Sequence, residues 1–182
     1  MLRSEGRTRC LQEIGSLAMG VDVVREFIDK EEEDLFVSLF EEYCDNHYSP
    51  GSLGQLYAVR MGLLSYSYES LLPVVGDIEE RVAEAAAVPH MNAQWMVSYD
   101  PHSHLTPHRD GDYDNPFRNR SEYPTAILNL NNEVDTFNWD DDKVHLKPRD
   151  LIVGNGYAEH GFDDGAIVDK TKIRYSILFR EG

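Results

Sequence analysis

The hydrophobic pattern of this chain changes period near Met91, and that break constrains the fold more than any single motif does. Before it, apolar residues recur at helical spacing. Over 30–46, Leu35, Phe36, Leu39, Phe40 and Tyr43 lie on one face. Over 69–88, Leu72, Val75, Ile78, Val82 and Ala86 do the same, and Pro89 ends the run. After the break come short β-rich runs at 95–99, 123–130, 134–139, 151–153, 166–168 and 173–179. Turn residues separate them, among them Asp100-Pro101, Asp110-Gly111-Asp112, Asn131-Asn132 and Asp163-Asp164-Gly165. This order predicts one α+β domain, an antiparallel sandwich or barrel core braced by N-terminal helices, rather than a parallel α/β sheet.

The flanking segments follow from the same reading. Residues 1–20 are expected to be a weakly ordered lead-in, and 21–28 a short strand. Residues 48–68, rich in Gly, Ser and Tyr, have the chemistry of loops and hairpins. The acidic run Glu31, Glu32, Glu33 and Asp34 falls in the first helical turn, where the helix dipole favours anions, so it reads as a solvated helix start.

Charge narrows the partners. Across 182 residues, 33 acids face 17 bases, a formal net charge of −16. Duplex nucleic acid and anionic lipid are disfavoured, because phosphate binding needs a basic face. No apolar run is long enough to span a membrane, and 1–20 lacks the apolar stretch of a secretory signal. Two cysteines, Cys10 and Cys44, make no disulfide framework, which fits the cytoplasm.

Two of the seven histidines stand in informative company. In His108-Arg109-Asp110, residues i and i+2 of an extended chain share a face. His160 follows the run 151–153. Two imidazoles and a carboxylate with open positions make the facial triad of non-haem Fe(II) oxygenases. His102-x-His104 is a competing ligand pair of the kind a cupin-like site uses. Downstream, Arg174, Ser176, Leu178 and Arg180 alternate with Tyr175, Ile177 and Phe179. An arginine pointing into a β-core needs an anion, and its planar fork suits a dicarboxylate, with Ser176 beside it as a hydroxyl donor.

These spacings together resemble the Fe(II)/2-oxoglutarate-dependent dioxygenases and, within them, the AlkB-like family. Tyr99 precedes His108, His160 follows Asp150-Leu151-Ile152-Val153, and Arg174 to Arg180 matches the family's Arg-x5-Arg ending. Phe27-Ile28-Asp29 before an acidic helix, and Arg60 with Tyr66-Ser67-Tyr68, follow the family's order. The likeness covers 21–182. It implies a double-stranded β-helix core over 91–182, with 21–90 as helical support and 48–68 as a substrate lid. His108, Asp110 and His160 would then bind Fe(II). Arg174 would take the far carboxylate of 2-oxoglutarate, with Tyr99 and Ser176 as hydrogen-bond partners. Arg180 would meet the metal-side carboxylate or brace Asp110. The implied reaction uses O2, converts 2-oxoglutarate to succinate and CO2, and oxidises a substrate C–H bond, giving an alcohol or an oxidative N-demethylation. Val97 and Ser176 stand where the family usually has asparagine. A nucleobase, a protein side chain and a small molecule are all substrate classes open at this point, as is a non-enzymatic β-barrel binding module.

Overall fold

Alternation along the last strand organises the core. In β10 (Arg174–Arg180), Tyr175, Ile177 and Phe179 point to one face of the sheet and Arg174, Ser176, Leu178 and Arg180 to the other. Both faces are buried, and β10 is central rather than an edge, paired with β3 (Asn92–Tyr99) and β5 (Pro124–Asn129). The computed structural model describes residues 20–46, 54–110 and 124–181. The expected lead-in at 1–20 falls almost wholly outside them.

Around β10 a six-stranded sheet runs in the order β1 (Asp22–Val24), β8 (Leu151–Asn155), β5, β10, β3 and β2 (Tyr57–Arg60). A four-stranded sheet has the order β4 (Leu105–His108), β9 (His160–Phe162), β6 (Val134–Trp139) and β7 (Asp142–Leu146). Every described pairing is antiparallel. Apolar side chains from both sheets meet in one cluster: Val97, Tyr99, Ile127 and Ile152 from the first, Leu105, Phe137, Trp139 and Phe162 from the second. The opposite face of the large sheet, with Met96, Ala126, Leu128, Tyr175, Ile177 and Phe179, packs with α1 (Lys30–Asn46) and α3 (Leu71–Ala85) through Phe36, Phe40, Ile78 and Val82. This is the helix-braced antiparallel core expected from the change in period.

Four local expectations change. The strand over 21–28 shrinks to Asp22–Val24, because Asp29 caps the next helix. The Asp29 carboxylate accepts from the Glu32 amide at 2.9 Å and Glu32 Oε2 accepts from the Asp29 amide at 2.9 Å, a reciprocal capping box. Glu33 is not solvated: it is 3% exposed and accepts from the Asn131 amide at 2.8 Å, tying α1 to the β5–β6 turn. The loop reading of 48–68 gives way, over its described part, to β2 and a short helix, α2 (Met61–Ser67). Tyr68 there packs edge-on against Tyr43 of α1 at 6.5 Å, so it serves the core. The run 166–168 makes only a single bridge, Val134 to Ile167.

Removing the cap tests this account of α1. Asp29→Ala should lower stability by about 1 kcal/mol, read as a lower urea midpoint with an unchanged slope.

Candidate active site

The two sheets bring His108, Asp110 and His160 together. His108 ends β4, His160 opens β9, and the two are register partners in the same antiparallel pair. Their rings lie 4.5 Å apart. Asp110 lies two residues beyond His108, with one oxygen 3.4 Å from His108 Nε2 and the other 3.4 Å from His160 Nε2. The three ligand atoms all lie within 4.8 Å of one another, the one such group among the described residues.

Backbone carbonyls set the tautomers. His108 Nδ1 lies 2.9 Å from the Thr106 carbonyl, and His160 Nδ1 lies 3.0 Å from the Ala158 carbonyl. Nδ1 therefore keeps its proton, so Nε2 is the nitrogen that faces Asp110: it donates to the carboxylate when protonated and offers its lone pair to a metal when not. His160 is also clamped: the Trp139 indole stacks on it at 4.5 Å and 17°, and Trp139 Nε1 donates to the Asn155 carbonyl at 3.2 Å. Gly154 leaves room for that indole, since a Cβ there would sit 2.7 Å from Trp139 Cε2.

Arg180 donates to Asp110 at 2.8 Å, so the large sheet braces the carboxylate of the triad. Burial of Asp110 opposes ionisation, but His108, His160 and Arg180 outweigh it and hold the carboxyl well below the usual range. His108 is raised: burial lowers it, and the Asp110 carboxylate more than compensates.

At the other end of the same inner face lies Arg174, 1% exposed. Its guanidinium rests on the rings of Tyr99 (4.9 Å) and Phe162 (5.3 Å), and Nε donates to Asn129 Oδ1 at 2.7 Å. Burial pushes it down to about 10, so it stays charged at neutral pH. No carboxylate among the described residues pairs with it, and its Nη2 has no hydrogen-bond partner. Ser176 Oγ and Asp110 Oδ2 likewise make no hydrogen bond. These three orphans belong to residues lining one cavity, together with Tyr99, His108, His160, Ile127 and Leu178. The cavity is only about 30 Å³, space for about one water.

All seven expected site residues therefore converge. His102 and His104 do not join them: both are exposed, and His104 instead pairs with Asp164 at 2.9 Å, which removes the cupin-like alternative. Asn129 went unread. It is fully buried, and while Oδ1 holds Arg174 its amide donates to the Asn132 and Lys147 carbonyls at 2.8 and 2.9 Å. The available signal was a lone amide at the end of the apolar run Ala126-Ile127-Leu128. Trp139 is buried, and its stacking on His160 depends on a contact between strands that spacing does not reveal.

Comparison with solved structures supports the fold. OsALKBH1 matches with a TM-score of 0.57 at 14% identity, over 92% of this chain and 100% of that one. SnoK, a non-haem α-ketoglutarate-dependent carbocyclase from nogalamycin biosynthesis, matches at 0.64 and 11%, over 90% and 80%. HygX from Streptomyces hygroscopicus, solved with nickel and 2-oxoglutarate bound, matches at 0.56 and 12%, over 89% and 82%. No known family profile and no curated protein matches the sequence. The chain has the double-stranded β-helix fold of the Fe(II)/2-oxoglutarate dioxygenases; the matches do not single out AlkB proteins within it.

Gly154→Ala should force Trp139 off His160. The overpacking is expected to cost roughly 1–3 kcal/mol in chemical denaturation, and the His160 ring resonances should shift in NMR spectra.

Proposed function

We propose that this chain is an Fe(II)- and 2-oxoglutarate-dependent dioxygenase, with residues 21–182 as its catalytic domain. One observation carries the reading: a metal-ready His108, Asp110 and His160 cluster shares its cavity with a buried, charged Arg174 that lacks an anion. A bound Fe(II) would supply the redox chemistry by which O2 and 2-oxoglutarate become succinate and CO2 while a substrate C–H bond is oxidised.

The protein's part is binding and orientation. His108 and His160 offer Nε2 in a tautomer already set by the Thr106 and Ala158 carbonyls. Asp110 offers an ionised oxygen, and Arg180 keeps it turned toward the imidazoles. Arg174 receives the far carboxylate of 2-oxoglutarate through its unpartnered Nη2, Ser176 Oγ adds a hydroxyl donor, and Tyr99 walls the same end. Asn129 keeps the guanidinium fork aimed into the cavity. The shell of Val97, Leu105, Ile127, Phe137 and Leu178 excludes water, which strengthens every charge–charge contact within.

The AlkB-like likeness leaves hydroxylation and N-demethylation as the two product types. The net charge of −16 favours a small molecule or a protein side chain over duplex nucleic acid. Among the described residues no helix is long and apolar enough to cross a membrane, and two cysteines without a disulfide framework favour the cytoplasm.

The decisive assay is succinate formation from 2-oxoglutarate with Fe(II), run across a panel of substrates. No turnover with any substrate, combined with no metal uptake, would overturn the reading in favour of a β-barrel binding module. Arg174→Ala should raise the 2-oxoglutarate KM at least tenfold while metal affinity stays intact, because a buried charge-assisted pair is lost. Asn129→Ala should raise the same KM by less, since the fork survives but loses its aim.

Metal affinity should also depend on pH, and the sign follows from His108. An imidazolium cannot bind a metal, and Asp110 raises the pH at which His108 takes up its proton. Co(II) affinity of the metal-free protein should therefore fall as pH drops through and above the ordinary histidine range, and level off at higher pH. His160→Ala should abolish Co(II) binding at every pH.

A further inference from the structure

We propose that Arg60, layered on Trp95, forms a subsite for a single carboxylate or phosphate on a small substrate, beside the metal end of the cavity. The inference rests on the dioxygenase reading and names the substrate class that reading leaves open.

Register places the pair. Along β10 the inward residues climb from Arg174, through Ser176 and Leu178, to Arg180. On β3 they run Tyr99, Val97 and Trp95, with Trp95 opposite Leu178. On β2, Ala58 lies opposite Val97 and Arg60 opposite Trp95. Arg60 thus shares a face with the cavity and stands level with Leu178. At about 4.8 Å per strand, two strands separate them by roughly 10 Å, within reach of a long side chain and a small ligand. One step beyond Leu178, Arg180 holds Asp110 of the triad. Arg174 thus serves the end remote from the triad, and Arg60 flanks the end where a substrate must come.

The chemistry of Arg60 suits that place. Arg25, Arg81, Arg149 and Arg180 each pair with a carboxylate. Arg60, in a chain with 33 acids, pairs with none among the described residues. What holds it is the Trp95 ring, 5.4 Å from the guanidinium carbon. A cation held by an aromatic face keeps its N–H donors free, so the fork can take an oxyanion edge-on. The side chain is exposed, and Trp95 beneath it is half-buried against the cluster that lines the cavity. The acidic exterior repels polyanions, whereas a ligand with one oxyanion has much less repulsion to overcome. Free acids and mononucleotides fit, and long nucleic acids do not.

Calorimetric titration of the protein with Fe(II) and 2-oxoglutarate under anaerobic conditions tests this directly. The probes are free amino acids against their amides, and nucleoside monophosphates against nucleosides. In one series the acid should bind roughly tenfold or more tighter than the counterpart that lacks the anionic group, and that series identifies carboxylate or phosphate as the anion. Arg60→Gln should erase the difference by weakening the acid alone, and Arg60→Lys should restore part of it. If neither series prefers its acid, or the preference survives Arg60→Gln, the subsite is refuted. Succinate formation by the wild-type protein is followed in parallel. Turnover without any acid preference removes the subsite alone, whereas absent turnover counts against the dioxygenase reading and leaves the calorimetry to judge the subsite.

Discussion

A guanidinium sealed inside a β-core is the constraint around which this protein is arranged. Arg174 is 1% exposed and charged at neutral pH. Leaving such a charge without an anion is costly. The structure offsets part of that cost with the faces of Tyr99 and Phe162 and with the side-chain oxygen Oδ1 of Asn129. It leaves Nη2 open. Asn131 then pins the start of the strand: its Oδ1 accepts from the Tyr175 amide at 3.0 Å and its amide donates to the Ile173 carbonyl at 2.8 Å. The position of Arg174 is thus determined from both its side chain and its backbone.

The second arrangement is built across two sheets. His108 and His160 belong to the small sheet, and Arg180 to the large one. Asp110 joins them, and this one carboxylate both completes the triad and connects the sheets at that end. The tautomer-setting carbonyls come from residues two positions before each histidine, Thr106 within β4 and Ala158 in the bend before β9, so local backbone orients both imidazoles. The helices contribute at a distance. They cover the far face of the large sheet and let its inner face carry polar chemistry.

Much of this was legible in the linear pattern. The helical and extended periods located α1, α3 and most of the strands, although β1 and β2 from the first half of the chain form the two edges of the large sheet. His108 and Asp110 were legible because i and i+2 share a face, and Arg174 to Arg180 because alternation along one strand is a local property. Asn129 was not, since nothing in its neighbours says that Arg174, 45 residues on, will need an acceptor. The burial of Glu33 is invisible locally for the same reason: its partner is the Asn131 amide, 98 residues away. The short helix α2 was hidden by Gly62 and a run of serines and tyrosines, whose weak helix propensity the core overrides through Met61 and Leu64.

By itself, then, the sequence determined the class of core, the sign of the net charge and which polar residues share a face, His108 with Asp110 and Arg174 with Ser176 and Arg180. Each of these depends on residue type or on neighbours a few positions apart. Tertiary structure alone decided which side chains became partners across neighbouring strands: Trp139 on His160, Asn129 under Arg174 and Arg60 over Trp95. Strand order and register set those meetings, and both emerge only when two faces of the large sheet compete for burial. The face with Tyr175, Ile177 and Phe179 went to the helices, and the face with Arg174, Ser176 and Arg180 was left to enclose the site.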